Sequence, residues 1–94
     1  MKIPKKIQIV GKEFKIIFDK KFSRKEKIWG RFYPENLEII LDNDKNINKQ
    51  NIEETLIHEC FEVINYFVNT ELHHDKLSMM SDLFYQIFKQ LEGE

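Results

Sequence analysis

Ninety-four residues, 41% of them hydrophobic and 13% aromatic, make one domain (1–94) with a single modest core and leave no room for a second. One cysteine excludes an intrachain disulfide and suits a reducing compartment. No stretch nears the ~18 apolar residues of a membrane span, and the basic start Met1–Lys6 has no apolar run behind it, so the expectation is a cytoplasmic chain with neither secretion signal nor membrane contact.

The net charge of −1 hides an asymmetry. Residues 1–33 carry 11 Lys/Arg against 3 Asp/Glu, whereas residues 34–94 carry 4 against 13. A basic front half raises nucleic-acid binding as one reading, and an acidic rear half suits a cation. The two halves also attract each other within one fold.

In chain order, Ile7–Val10 and Glu13–Phe18 alternate, with Phe14, Ile16 and Phe18 on one face. Gly11-Lys12 between them reads as a type II′ turn with glycine first, so strands are expected at 6–10 and 13–18. Asp19–Lys27 is a charged connection, a solvated loop rather than a nucleic-acid grip because Phe22 is the only aromatic interleaved among its basic residues. Ile28–Tyr33 and Leu37–Leu41, joined by Pro34-Glu35-Asn36, make a second hairpin. There Leu37, Ile39 and Leu41 should face the core, with Glu38 and Asp42 outward. Gly30 within a strand predicts a bulge or a close backbone approach.

After the loop 42–46, Asn48 is a good N-cap for a helix running to about Asn69, with Glu53 and Glu54 near its positive end. A second helix is expected from His74 to Leu91, with Leu77, Met80, Phe84, Ile87 and Leu91 at spacings of three and four. The fold class is therefore α+β: two β-hairpins in a small antiparallel or mixed sheet, then two helices packed on one of its faces.

The first helix carries the chemistry. Residues 58–62 spell His-Glu-x-x-Glu, one letter from the His-Glu-x-x-His of zinc peptidases. At about 100° per residue His58 and Glu62 stand about 40° apart and one turn along, as two ligands of one metal must. Glu59 is turned toward the flank, where a base acting on metal-activated water would sit. The same wheel also describes an ordinary amphipathic helix with a solvated polar stripe. His74 is a candidate third ligand, but it must return about 14 Å along the helix axis. The four or five residues available reach about 14–17 Å only when fully extended. An immediate turn would instead place Asp82 or Gln86 opposite the pair, which makes Asp82 the reserve ligand. Cys60 lies on the opposite, apolar side and reads as a core residue.

Together, Thr55-Leu56-Ile57-His58-Glu59-x-x-Glu62-x-x-Asn65-Tyr66, Leu72-x-His74, Leu77-x-x-Met80 and Leu83-Phe84-Tyr85-Gln86 resemble a family of small phage and prophage proteins. These are minimal zincin-like domains, related in layout to metallopeptidases that cleave phage immunity repressors. The resemblance implies a glycine-bearing hairpin ahead of the motif helix and zinc as cofactor. It implies His58 as first ligand, Glu59 as catalytic base and His74 as third ligand. Glu62 is the departure, standing where a peptidase has its second histidine. A carboxylate binds zinc, but its negative charge makes the metal a weaker Lewis acid. Three functions follow as alternatives: a zinc-dependent hydrolase taking a peptide along Leu37–Leu41, a non-catalytic phage accessory domain that binds a host or phage protein, or a nucleic-acid binder using the 19–27 loop.

Overall fold

A computed structural model describes residues 2–19, 29–42 and 48–93. Strands β1 (Lys6–Ile9), β2 (Lys12–Phe18), β3 (Gly30–Tyr33) and β4 (Glu38–Leu41) precede helices α1 (Lys49–Val68) and α2 (His74–Leu91). The chain is α+β, as the patterning requires. The basic run from Lys20 to Lys27, with the role weighed for it, lies outside the described residues.

The first hairpin is shifted by one residue from its expected place. Ile9 pairs with Lys12, so the two-residue turn is Val10-Gly11, and both have positive φ, 50° and 74°. Two consecutive positive angles belong to the type I′ turn, whose twist matches the flanking strands. Glycine accepts this freely at the second position, while the β-branched Val10 is held there against its preference. In this register Ile7 pairs with Phe14, and Phe14 and Ile16 lie in the core.

The sheet is mixed, in the order β1-β2-β4-β3. β3 and β4 form the expected antiparallel hairpin, but β4 lies parallel to β2, with Ile16 opposite Ile39 and Phe18 opposite Leu41. β4 is thus paired on both sides and β3 is left at the edge. Phe14, Ile39 and Leu41 are fully buried and meet Leu56 and Val63 of α1. Asp42, expected outward, is also fully buried; its backbone N–H donates to Trp29 O at 2.9 Å, which holds it under the start of β3.

Asn48 caps α1 through its side chain, accepting from the Asn51 N–H at 2.8 Å. Gly30 answers the close approach its position suggests, at the head of β3 rather than inside it. A Cβ there would lie 2.7 Å from Thr55 Cγ2 and 3.1 Å from Leu41 Cδ2, so its bare backbone lets α1 settle onto the sheet.

Among the described residues α1 makes the main helical contact with the sheet and α2 packs chiefly against α1, which corrects the expectation of two helices side by side on one face. The buried line of α2 is Leu77, Ser81 and Tyr85. Of the apolar stripe expected inward, only Leu77 is buried, and Met80, Phe84, Ile87 and Leu91 are 45–81% exposed. The cause is a polar tie between the helices. Tyr85 Oη donates to Glu53 Oε1 at 2.6 Å, and Lys89 Nζ stands 3.5 Å from the same oxygen. Glu53 is therefore a buried residue, not a solvated partner of the helix dipole. Burial pushes its carboxyl up, but hydrogen bonding, from Tyr85 first, and nearby positive charge, Lys89 included, outweigh that and hold it below the usual value. Among the described residues, no helix is long and apolar enough to cross a membrane.

Candidate metal centre

The structure brings His58, Glu62 and His74 to one point. His58 Nε2 lies 3.8 Å and His74 Nδ1 3.6 Å from Glu62 Oε2. One ligand atom from each residue lies within 4.8 Å of the other two. The imidazoles meet edge to face with centroids 5.3 Å apart. Ligands of tetrahedral zinc, with bonds near 2 Å, stand roughly 3.3 Å from one another. The three ligand atoms therefore stand somewhat wider apart than bound ligands would. The donors, two imidazoles and a carboxylate, suit zinc among the divalent metals.

His74 reaches the site because Asn65 folds the connection back along α1. Helix α1 ends at Asn69 in the left-handed region, φ 58°, where asparagine is well tolerated, and Glu71 reverses again at φ 59°. Asn65 Oδ1 accepts from the Leu72 N–H at 3.1 Å and from the Thr70 hydroxyl, while its Nδ2 donates to Leu72 O at 3.2 Å. Asn65 shares the helix face of His58 and Glu62. It places the first residue of α2 beside Glu62, so the connection is folded and pinned rather than stretched.

His58 is oriented by a residue that the motif does not contain. Ser81 Oγ, on the buried line of α2, donates to Ser78 O at 2.9 Å and lies 3.4 Å from His58 Nδ1. With its proton directed to Ser78, the hydroxyl presents a lone pair to His58. That arrangement favours the tautomer with its hydrogen on Nδ1, which leaves Nε2, the nitrogen facing Glu62, as the base. Burial pushes the His58 pKa down first, Glu62 pulls it up, His74 lowers it and Asp82 raises it; the net shift is downward. A neutral imidazole at pH 7 is the ligating form. The sequence signal for Ser81 is its spacing of seven from His74, with Ser78 four along, a period that puts all three on one helix face.

Replacing Ser81 by alanine should weaken zinc binding by about 10–100-fold, as loss of a ligand's orienting partner does. It should also move the His58 ring nitrogen shifts in NMR toward a mixture of tautomers. Unchanged affinity and shifts would mean that the hydroxyl does not orient the ring.

Glu59 does not lie on an open flank but is 8% exposed, between α1 and β3. Burial first, then the neighbouring Glu62, push its carboxyl up to about 8, against the pull of Arg31 and a hydrogen bond from the Phe32 backbone N–H. Cys60 is half-buried, and burial with the Glu59 charge pushes its thiol up to about 12, so it is no nucleophile at neutral pH.

Glu59, the three clustered residues and Asp82 line one open cavity of about 570 Å³, closed on its other side by Trp29, Gly30 and Arg31 of the β3 edge. That volume is within the usual range for ligand sites. Asp82 is on the rim and outside the three-residue cluster. Comparisons with protein-family models, curated proteins and solved structures gave no match.

Proposed function

We propose that this chain is a zinc-binding, metallopeptidase-like protein in which His58, Glu62 and His74 hold the metal and Glu59 is the base for hydrolysis of a peptide bond. The observation that carries the reading is the convergence of those three ligand atoms from two helices, with the His58 ring already turned to offer Nε2. The resemblance to small phage zincin-like proteins supports it through the same residues, and a cytoplasmic setting goes with the single cysteine.

Zinc supplies polarisation of a carbonyl and acidification of water. The rest falls to the protein. Glu59 lines the cavity beside the ligands, in reach of water held there, and is the carboxylate that accepts a proton from that water and passes it to a leaving amine. A peptide cannot lie along Leu37–Leu41 as the sequence suggested, because β4 is paired on both sides. Of the two edge strands, β1 and β3, it is β3 whose Gly30 and Arg31 form the cavity wall. A substrate strand therefore adds to β3, taking its backbone hydrogen bonds from that edge.

The purified chain should bind close to one zinc ion in calorimetry and cleave a mixture of extended peptides slowly, because the Glu62 charge reduces the metal's electrophilicity. Glu59→Gln should retain the ion and lower the cleavage rate by about 10²–10⁴-fold, the usual contribution of a general base. Zinc binding without cleavage in the wild-type chain would remove the hydrolase and leave a metal-binding domain. Absence of stoichiometric binding would remove both.

A further inference from the structure

The tie between Glu53, Tyr85 and Lys89 rotates α2 so that its most apolar side looks away from the metal site and is largely open to solvent. Met80, Leu83, Phe84, Ile87 and Leu91 are 45%, 53%, 45%, 56% and 81% exposed. The patch continues onto α1, where Phe61 meets the Phe84 ring edge to face at 5.6 Å and Ile64, one turn on, is 37% exposed. Taking roughly 200 Å² for a large apolar side chain, the five α2 residues alone leave on the order of 500–600 Å² open. That is the upper end of what a monomer normally shows in one patch. With Phe61, Ile64 and the flanking polar residues it approaches the ~800 Å² per partner of a stable interface.

We infer that α2 pairs with the α2 of a second copy of this chain, antiparallel, across a two-fold axis between Leu83 and Phe84. The stripe Lys76, Met80, Leu83, Phe84, Ile87, Leu91 has spacings of four, three, one, three and four, the same read from either end. An isologous interface needs such a surface, in which each contact recurs with the roles exchanged. About that axis Met80 faces the partner's Ile87 and Leu83 faces the partner's Phe84. Charge selects the direction. An antiparallel pair puts Lys76 beside the partner's Leu91 and Glu92, whereas a parallel pair would set Lys76 against its own copy. The helix dipoles also oppose in the antiparallel pair. His74, Ser78 and Asp82 lie on the other side of α2, so the cavity stays open and the pairing does not depend on zinc.

Sedimentation of the full chain in chelator, from micromolar to sub-millimolar concentration, should show the mass of two chains. Leu83→Glu and Ile87→Glu should each return it to one chain, with the far-ultraviolet circular dichroism spectrum unchanged because both side chains are exposed. In a Cys60→Ser background, mild oxidation of mixed Met80→Cys and Ile87→Cys chains should cross-link one to the other, and Met80→Cys alone should not cross-link. A chain that stays monomeric throughout, or whose dimer survives both glutamates, overturns the inference and assigns the face to a different protein or to none. Self-linking of Met80→Cys overturns the antiparallel order.

Discussion

His58→Ala should abolish the stabilisation that zinc gives this chain, and it should do so more completely than His74→Ala. A ligand that binds only the folded state adds about 2.7 kcal/mol when present at a hundred times its Kd. For a domain of this size that raises the melting temperature by on the order of 10–20 °C. The wild-type chain should show a rise of that size on adding zinc, reversed by chelator. His58 is the ligand whose orientation is built in: its side chain is 22% exposed and its Nδ1 rests on the buried Ser81. Removing it leaves Glu62 and His74, on different helices, with no pre-oriented donor between them. His74 is 64% exposed at the first turn of α2, and its loss leaves His58 and Glu62 one turn apart on a rigid helix, a two-point chelate of reduced affinity. Scanning calorimetry with and without zinc measures the order directly. A wild-type melting temperature indifferent to zinc, or an equal rise in His58→Ala, would show that the cluster holds no metal.

How far the chain could be read in advance depended on whether a feature is local. The limits of α1 and α2 were legible because their signals are short-range: Asn48 at the cap, Asn69 at the end and periodic apolar residues between. The pair His58–Glu62 was legible for the same reason, since an i,i+4 spacing fixes its geometry within one element. The place of His74 depends on Asn65, whose side chain bonds to Leu72 seven residues later, and no periodicity encodes that staple. The rotation of α2 was hidden because the stripe at Met80, Phe84, Ile87 and Leu91 carries the sequence's apolar signal. The inward line is set instead by one buried hydrogen bond from Tyr85 to Glu53, 32 positions apart. Whether β4 joined β2 or only β3 was likewise a tertiary choice, because both faces of Glu38–Leu41 are acceptable to a central strand.

The same burial that positions Glu59 makes the chain's stability depend on pH, and the sign is fixed. Its carboxyl titrates near 4.5 in the unfolded chain and at about 8 in the fold. Below the first value both states are protonated and Glu59 contributes no pH dependence. Between the two the unfolded state loses a proton that the folded state keeps, so stability falls as pH rises, and above the second the loss is complete. The full difference is on the order of 3–5 kcal/mol. Glu59→Gln cannot ionise, and its amide oxygen can still accept from the Phe32 N–H. In chelator, urea unfolding should therefore give equal stabilities for the two chains near pH 4 and a growing advantage for the variant up to about pH 9. All other titrating groups are common to both chains, so the difference isolates this carboxyl. Parallel stability curves across that range would show that Glu59 ionises freely and is not held by burial. Zinc at the neighbouring ligands adds positive charge beside the same carboxyl and favours its ionised form. The gap between wild type and Glu59→Gln should then shrink when zinc is present, which makes stability at alkaline pH a readout of metal binding that needs no substrate.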